Sequence, residues 1–242
     1  MPVALLPVLF TEWLRENNNS ITDVIFYFTC SCRYGHLWYA HYLSEKKNRE
    51  VLVQLMNQSK NASLIQAWID DGNTTIAPEK IQVLFILTPP VSRVAGGSGQ
   101  QLKIRKMPNN LPHNKESLFY LNVLDIPPNN PQNAGKNKIK LALQNRIKLL
   151  WRPSGIAPID KKSLSQLNIK KKNNAISINN ETANWITVTT IKAQNVKVNN
   201  ESILLPPFSN NDITLKNNHA SEYELTVVDD YGNNIHSKIA AR

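Results

Sequence analysis

Short segments in which apolar and polar residues alternate recur along the chain from Glu50 onward. An alternation of period two is typical of strands with one buried face, and helical periodicity is scarce. Clusters of Asn, Pro, Gly and Ser, which favour turns, lie between the segments. The predicted strands of the first part of the chain are 51–56, 63–69, 82–87, 101–107, 117–126 and 138–151. This pattern predicts an all-β sandwich.

The composition of the sequence changes after Arg152, where two prolines and a glycine interrupt the alternating pattern within 153–158. Because proline cannot donate to a central ladder, a linker at 154–158 is predicted. The sequence beyond it is richer in Lys and Asn, and its predicted strands are 175–178, 185–191, 196–198, 202–205, 212–215, 222–228 and 235–239. We therefore predict two sandwich domains at 44–153 and 159–242, preceded by an atypical segment at 1–43.

The predicted strand at 138–151 carries large aliphatic side chains on one face, at Ile139, Leu141 and Leu143. The intervening positions 140, 142 and 144 hold polar or small residues. An exposed hydrophobic sheet edge templates pairing with other chains, so a chain that keeps one has either buried it or uses it. We expect this edge to be used.

The 242 residues are 41% hydrophobic, which is enough for substantial cores, and carry a net charge of +10 with a pI near 9.6. This charge favours an acidic partner, nucleic acid or an anionic surface. The basic residues are scattered and lack interleaved aromatic side chains. Nucleic-acid binding is therefore not expected.

The first forty residues contain two apolar stretches, at 1–10 and 25–40. The first is followed by Glu12, Arg15 and Glu16, which is not the order of residues in a signal peptide. The second is too short and too interrupted by polar residues to predict stable membrane insertion. Cys30 and Cys32 are interpreted as two unpaired thiols, because their spacing strains a disulfide and no ligand cluster completes a zinc site.

No arrangement of residues points to catalysis. The five histidines lie in dissimilar contexts, and the Gly-Gly-Ser-Gly run at 96–99 lacks the Lys-Ser/Thr that follows a phosphate-binding loop. We predict no catalytic residues, no cofactor and no metal. A binding protein is favoured over an enzyme.

A series of short motifs runs in order through the chain from about residue 45 to the C-terminus. They are Gln-Ala-Trp-Ile-Asp at 66–70, Thr-Pro-Pro at 88–90, Leu-Pro at 111–112 with Glu-Ser-Leu-Phe-Tyr at 116–120, residues 122–128, Arg-Ile-Lys-Leu-Leu-Trp-Arg-Pro at 146–153, Leu-Pro-Pro-Phe-Ser at 205–209 and Asp-Asp-Tyr-Gly at 229–232. Taken together, they resemble the periplasmic pilus-assembly chaperones of the chaperone–usher family.

This resemblance implies two immunoglobulin-like β-sandwich domains set at an angle, in a boomerang-like arrangement. It implies a periplasmic protein that binds pilus or fimbrial subunits lacking one strand, lends them its own edge strand, and delivers them to an outer-membrane usher. The short loop at 129–136 resembles the short-loop subgroup of the family. Whether the free protein caps itself as a dimer stays open.

The resemblance also assigns roles to particular residues. Lys148 matches the lysine that anchors the subunit's C-terminal carboxylate. An ion network linking the two domains is matched by Glu116, Arg152 and Asp230. The residues implied to contact the subunit, besides Lys148, are Ile139, Leu141, Leu143 and Ile147.

One family feature has no counterpart in this sequence. The family's anchor contains an arginine on the first strand, and its expected position at 39–41 holds no arginine, although His41 could donate a hydrogen bond. The resemblance ends before about residue 44, so we expect a disturbed start or reading frame upstream. Two other classes are weighed against the chaperone: an immunoglobulin-like adhesin or fibre subunit, and a basic nucleic-acid-binding protein.

Overall fold

The computed structural model describes residues 23–28, 41–44, 50–108, 110–128, 141–173, 175–215 and 220–242. These residues form seventeen β-strands, one short α-helix and one turn of 3₁₀ helix. No helix in this part of the chain is both long and apolar enough to cross a bilayer.

The first domain is a sandwich of two sheets. One sheet has the order β1-β3-β7-β5, with β1 at Asp23–Phe28, β3 at Glu50–Asn57, β7 at Gly99–Lys106 and β5 at Phe85–Thr88. The other has the order β2-β9-β8-β4-β6, with β2 at His41–Ser44, β9 at Leu143–Arg152, β8 at Ser117–Ile126, β4 at Ser63–Asp70 and β6 at Val91–Val94. A 3₁₀ turn at Pro78–Lys80 precedes β5.

The second domain is also built from two sheets. A three-stranded sheet has the order β10-β11-β15, with β10 at Leu167–Lys172, β11 at Ala175–Asn180 and β15 at Ser209–Thr214. The facing sheet has the order β13-β12-β16-β17, with β13 at Val196–Lys197, β12 at Ile186–Ala193, β16 at Glu222–Val228 and β17 at Asn234–Ala240. β14 at Ile203–Leu205 also pairs with β12, and helix α1 at Lys161–Leu164 follows the linker.

Each sandwich encloses its own hydrophobic core. Alternate residues of β3, β4, β7, β8 and β9 fill the first core, since successive side chains of a strand point to opposite faces. In the second domain, Ile, Val and Leu side chains pack around the fully buried Tyr223. The prediction of two immunoglobulin-like sandwiches is confirmed by this architecture.

Two predicted strands have other bounds in the structure, and two observed strands were not predicted. The strand predicted at 138–151 is β9, Leu143–Arg152, with residues 138–140 outside the described part of the chain, and the strand predicted at 82–87 is β5, Phe85–Thr88. β6 was not predicted, because a proline pair immediately precedes it and it is only four residues long. β10 was not predicted either, because its second half is Lys170-Lys-Lys172, which lies exposed after its two core residues Leu167 and Ile169.

Candidate functional site

Strand β9 is paired differently along its two edges. On one edge, β8 pairs with it in antiparallel register from Leu143 to Trp151. On the other edge, β2 pairs only with residues 149–152, in parallel register. Among the described residues, 143–148 therefore present a free strand edge. An unpaired row of backbone N–H and C=O groups can accept a strand from another chain.

The odd-numbered side chains of β9 lie on the face of the strand that packs against the first core. The later ones are buried in that core, and the earlier ones lie beyond its end. Trp151, Leu149 and Ile147 are buried in that core, with Ile147 only 4% exposed. Leu143, four residues earlier on the same face, is 56% exposed, and Leu141, just before the strand, is 75% exposed. Beyond the half-buried Asn145, the face that fills one core therefore continues as two exposed leucines. Ile139, the third residue expected in that row, lies outside the described residues.

Ile147, which the resemblance assigns to subunit contact, is buried in the core of its own domain, and the assignment stays a prediction. Its side chain packs within the first core with Leu121 and Leu149, so it does not reach the surface. Sequence alternation places Ile147 on the same face as Leu143, but it does not say where along the strand the domain's own core ends.

On the other face of β9, Arg146 is fixed by a cross-strand network that sequence reasoning missed. Its two terminal nitrogens, Nη1 and Nη2, each donate over 2.6 Å to one oxygen of Asp70, a residue that is 1% exposed. The Asn122 amide donates to the same carboxylate, and the guanidinium lies 4.1 Å from the centroid of the Tyr120 ring. Because Asp70 and Arg146 are 76 residues apart, no local pattern could have paired them.

Lys148 lies in the same cross-strand row as Tyr120 and Asp70, but its ammonium group does not pair with that carboxylate. Lys148 Nζ instead donates over 2.8 Å to Oγ1 of Thr187, on β12 of the second domain. Burial lowers the pKa of the Lys148 ammonium to about 8. No carboxylate among the described residues forms an ion pair with it. A partly desolvated cation therefore lies between the two domains, with no anion beside it in the part of the chain that the structure describes.

Arg152 forms ion pairs with both other residues of the expected ion network, Glu116 and Asp230. Its Nε donates over 2.5 Å to Glu116 of the first domain, while Nη1 and Nη2 donate to the two oxygens of Asp230 in the second. Both Arg152 and Glu116 are buried. Although burial lowers the pKa of Arg152, the hydrogen bond to Asp230 and the charge of Glu116 raise it overall. The guanidinium geometry suits such two-sided carboxylate binding.

Glu116 extends this network into the second domain. Its carboxylate accepts hydrogen bonds from the backbone N–H of Trp185 over 2.8 Å and from the Asn184 amide over 3.1 Å. Its backbone N–H donates to the carbonyl of Ala183, and its carbonyl accepts from the indole of Trp185. Burial raises the pKa of the Glu116 carboxyl, against the lowering effects of Arg152 and these donors. Glu116, the first residue of the motif at 116–120, is thus hydrogen-bonded to the second domain.

Two family models match this chain, and their boundaries follow the two sandwiches. The model described as "Pili and flagellar-assembly chaperone, PapD N-terminal domain" matches residues 42–157, and "Pili assembly chaperone PapD, C-terminal domain" matches residues 162–239. A probable fimbrial chaperone of Escherichia coli K12, YehC, is 55% identical over 193 residues, which cover 80% of this chain and 81% of that protein. This chain belongs to the PapD family of pilus-assembly chaperones.

Two further comparisons agree with the family assignment. The chaperone protein MrkB of Klebsiella pneumoniae is 34% identical over 200 residues, covering 80% of this chain and 85% of that protein. The crystal structure of the CupB2 chaperone of Pseudomonas aeruginosa superposes with a TM-score of 0.71 at 27% identity, covering 85% of this chain and 98% of that one. The chain is thus a pilus-assembly chaperone, a member of a family of chaperones rather than of enzymes.

Replacing Ile147 by Ala in this chaperone is expected to lower the free energy of unfolding by about 2–4 kcal/mol, because it opens a cavity in the first core. The matched variant Leu143→Ala, on the same face of the same strand, is expected to change it by less than about 0.5 kcal/mol, because Leu143 is largely exposed. Urea unfolding measures both. Equal losses would contradict the placement of the core boundary between these two residues.

Replacing Arg152 by Met is expected to destabilise the protein by about 3–5 kcal/mol, because it leaves the Glu116 and Asp230 carboxylates facing each other without a cation. The control is Lys103→Met, which removes a half-exposed ion pair with Glu50 and is expected to cost less than about 1 kcal/mol. Differential scanning calorimetry compares the two. If Arg152→Met unfolds at the same temperature as the parent protein, this network does not stabilise the fold.

Proposed function

We propose that this protein is a periplasmic chaperone that captures pilus subunits by lending them strand β9 and passes them to an outer-membrane usher. Strand addition to a sheet edge is a known mode of recognition, and chaperone–pilin pairing is one of its instances. The observation that carries the proposal is the aliphatic row that leaves its own core at Ile147 and continues, exposed, at Leu143 and Leu141.

The free edge of β9 suits this role on physical grounds. A subunit that lacks a strand exposes a hydrophobic groove, and two alternate leucines at the spacing of a strand match such a groove. Each buried aliphatic side chain would contribute about 1.5–3 kcal/mol, and backbone pairing along 143–148 would fix the register. The hydrophobic surface is then covered on both partners at once.

Lys148 would anchor the C-terminal carboxylate of the subunit. The Asp70 carboxylate, which shares its cross-strand row, is bound through both oxygens by Arg146. Lys148 therefore stays available for an anion that arrives from outside, and its partial burial strengthens the resulting charge-assisted bond. Binding of the subunit's carboxylate to Lys148 would thus fix which residues of the subunit pair with which residues of β9.

The ion network would hold the two domains in the orientation that forms the carboxylate site. Lys148 belongs to the first domain and its hydrogen-bond partner Thr187 to the second, so their separation depends on how the domains meet. Arg152, four residues after Lys148 on the same strand, binds Glu116 and Asp230 from the two sides of that junction.

The test of the proposal is co-expression of this chaperone with candidate pilus subunits in the periplasm of a host that lacks other pilus chaperones. We expect one subunit to be protected from degradation and to co-purify in a one-to-one complex. A protein that instead self-associates into fibres, or that rescues no subunit while folding normally, would overturn the proposal.

Replacing Leu143 by Asp is expected to abolish capture of the rescued subunit while leaving the chaperone folded, because a charge would be forced into the subunit's groove. The control is Val196→Asp, which places the same charge at an exposed apolar position of the second domain. Co-purification yield and urea unfolding are the measurements. A Leu143→Asp variant that recovers the subunit as well as Val196→Asp does would rule out strand lending at this position.

Replacing Lys148 by Met is expected to abolish capture and also to stabilise the free chaperone by roughly 1 kcal/mol near neutral pH. The reason is that burial lowers the pKa of Lys148 from 10.5 to about 8, so the folded state bears the cost of a desolvated charge below pH 8. That cost fades as the pH rises from 8 towards 10.5, and the gain of the variant should fade with it.

The matched control for Lys148→Met is Lys170→Met, because Lys170 lies exposed on β10, away from the domain junction. This control should change neither capture nor stability. Thermal unfolding at pH 7 and pH 10, together with subunit co-purification, separates the two variants. Undiminished capture by Lys148→Met would exclude the proposed anchor.

A further inference from the structure

The chain contains several copies of the sequence Asn-x-Ser/Thr in which the middle residue is not proline. This motif is the acceptor of N-linked glycosylation in exported proteins, where the glycan is attached at surface loops. The copies begin at residues 57, 61, 73, 180 and 200, and at residue 18, which lies outside the described part of the chain. Because so short a motif arises by chance, the structure has to decide which copies an enzyme could reach.

Three of the described copies are closed off in the folded protein. Asn57 and Asn180 are 4% and 0% exposed, and their amide nitrogens donate to backbone carbonyls. Asn61 is exposed, but the hydroxyl residue of its copy, Ser63, is 8% exposed and is the first residue of β4. An enzyme that must bind both the asparagine and the hydroxyl cannot use these copies without unfolding the protein.

The copies at Asn73 and Asn200 are exposed, and they differ in the residue two positions before the asparagine. Asn73 lies in the turn after β4, where residues 71–75 read Asp-Gly-Asn-Thr-Thr and are all exposed. Bacterial oligosaccharyltransferases of the periplasm commonly require an acidic residue at the position that Asp71 occupies. Before Asn200 this position holds Val198, which is buried. Asn73 is therefore the copy that combines exposure with the acidic residue.

Hydrogen bonds hold the turn around Asn73 in one arrangement. The backbone N–H of Gly72, whose φ of +107° favours glycine, donates over 2.7 Å to Oδ1 of Asp70, and Arg146 binds the same carboxylate. The backbone N–H and the hydroxyl of Thr75 donate to Oδ1 of Asn73, over 3.0 and 2.7 Å. The asparagine and the hydroxyl of the motif thus lie side by side. Both of these bonds end on the carbonyl oxygen of the Asn73 amide and leave its nitrogen for reaction.

We propose that Asn73 is an N-glycosylation site, which accepts an oligosaccharide from a polyprenyl-pyrophosphate carrier in the periplasm. Nδ2 of Asn73 would bond to the anomeric carbon of the first sugar, while the bond from that carbon to the pyrophosphate oxygen breaks. The carrier pyrophosphate leaves with the electron pair of that bond, and the amide gives up one proton to a base of the oligosaccharyltransferase. The inference takes only the periplasmic location from the proposed function, and subunit binding plays no part in it.

The experiment incubates the folded full chain with a purified bacterial oligosaccharyltransferase that requires the acidic residue, and with an undecaprenyl-pyrophosphate-linked oligosaccharide. Intact mass spectrometry counts the attached glycans, and peptide mapping locates them. We expect a single glycan, on Asn73. Asn73→Gln and Thr75→Val should abolish it, because they remove the nucleophile and the hydroxyl of the motif. Thr75→Ser keeps the hydroxyl and should keep the glycan.

The matched control is Asn200→Gln, which removes the other exposed copy and should leave the increase in mass unchanged. Absence of a glycan on the folded chain, while a short Asp-Gly-Asn-Thr-Thr peptide is modified in the same reaction, would overturn the proposal. A glycan found on Asn200 instead, or one that reaches Asn73 only in a heat-unfolded sample, would overturn it as well.

The outcome of this experiment is separate from that of the subunit co-expression test. The reaction uses purified chain, so neither export nor subunit capture affects it. A chain that takes no glycan leaves the proposed chaperone function standing, and a chain that rescues no subunit can still be glycosylated on Asn73.

Discussion

The structure depends on one strand whose inward face is longer than the core that it serves. Residues of β9 from Ile147 onward are buried in the first sandwich, while Leu143 and Leu141 continue the same face into solvent. A folded protein gains nothing from leaving aliphatic side chains beyond its own core, and it risks aggregation. The arrangement becomes favourable only when a second core covers the row. The strand lending proposed above would provide that second core.

The outward face of the same strand carries three cations with three different environments. Arg146 is neutralised within its own sheet by Asp70, and Arg152 is neutralised by one carboxylate from each domain. Lys148, between them, has a hydroxyl as its partner and no anion among the described residues. A partly buried charge without an opposite charge costs stability, which supports the proposed role of Lys148 as the anchor of an external anion.

The ion network and the hydrogen bond from Lys148 to Thr187 share β9 and span the same junction. Arg152 fixes Glu116 and Asp230 in one geometry, and Glu116 is further held by Trp185 and Asn184 of the second domain. Removing any one partner of this network would leave a charge unpaired in a buried place. The distance between Lys148 and Thr187 is set by the same contacts.

The sequence by itself determined the fold class, the strands with clear alternation and, through the order of its motifs, the family. Alternation has a period that local residues reveal, so β3, β4, β8 and β16 could be located from the chain alone. The end of the core along β9, the Asp70–Arg146 pair and the meeting of Lys148 with Thr187 were decided only by tertiary structure. These features depend on which strands are neighbours and on what covers each face, and residues 39 to 76 positions apart carry no local signal of their contact.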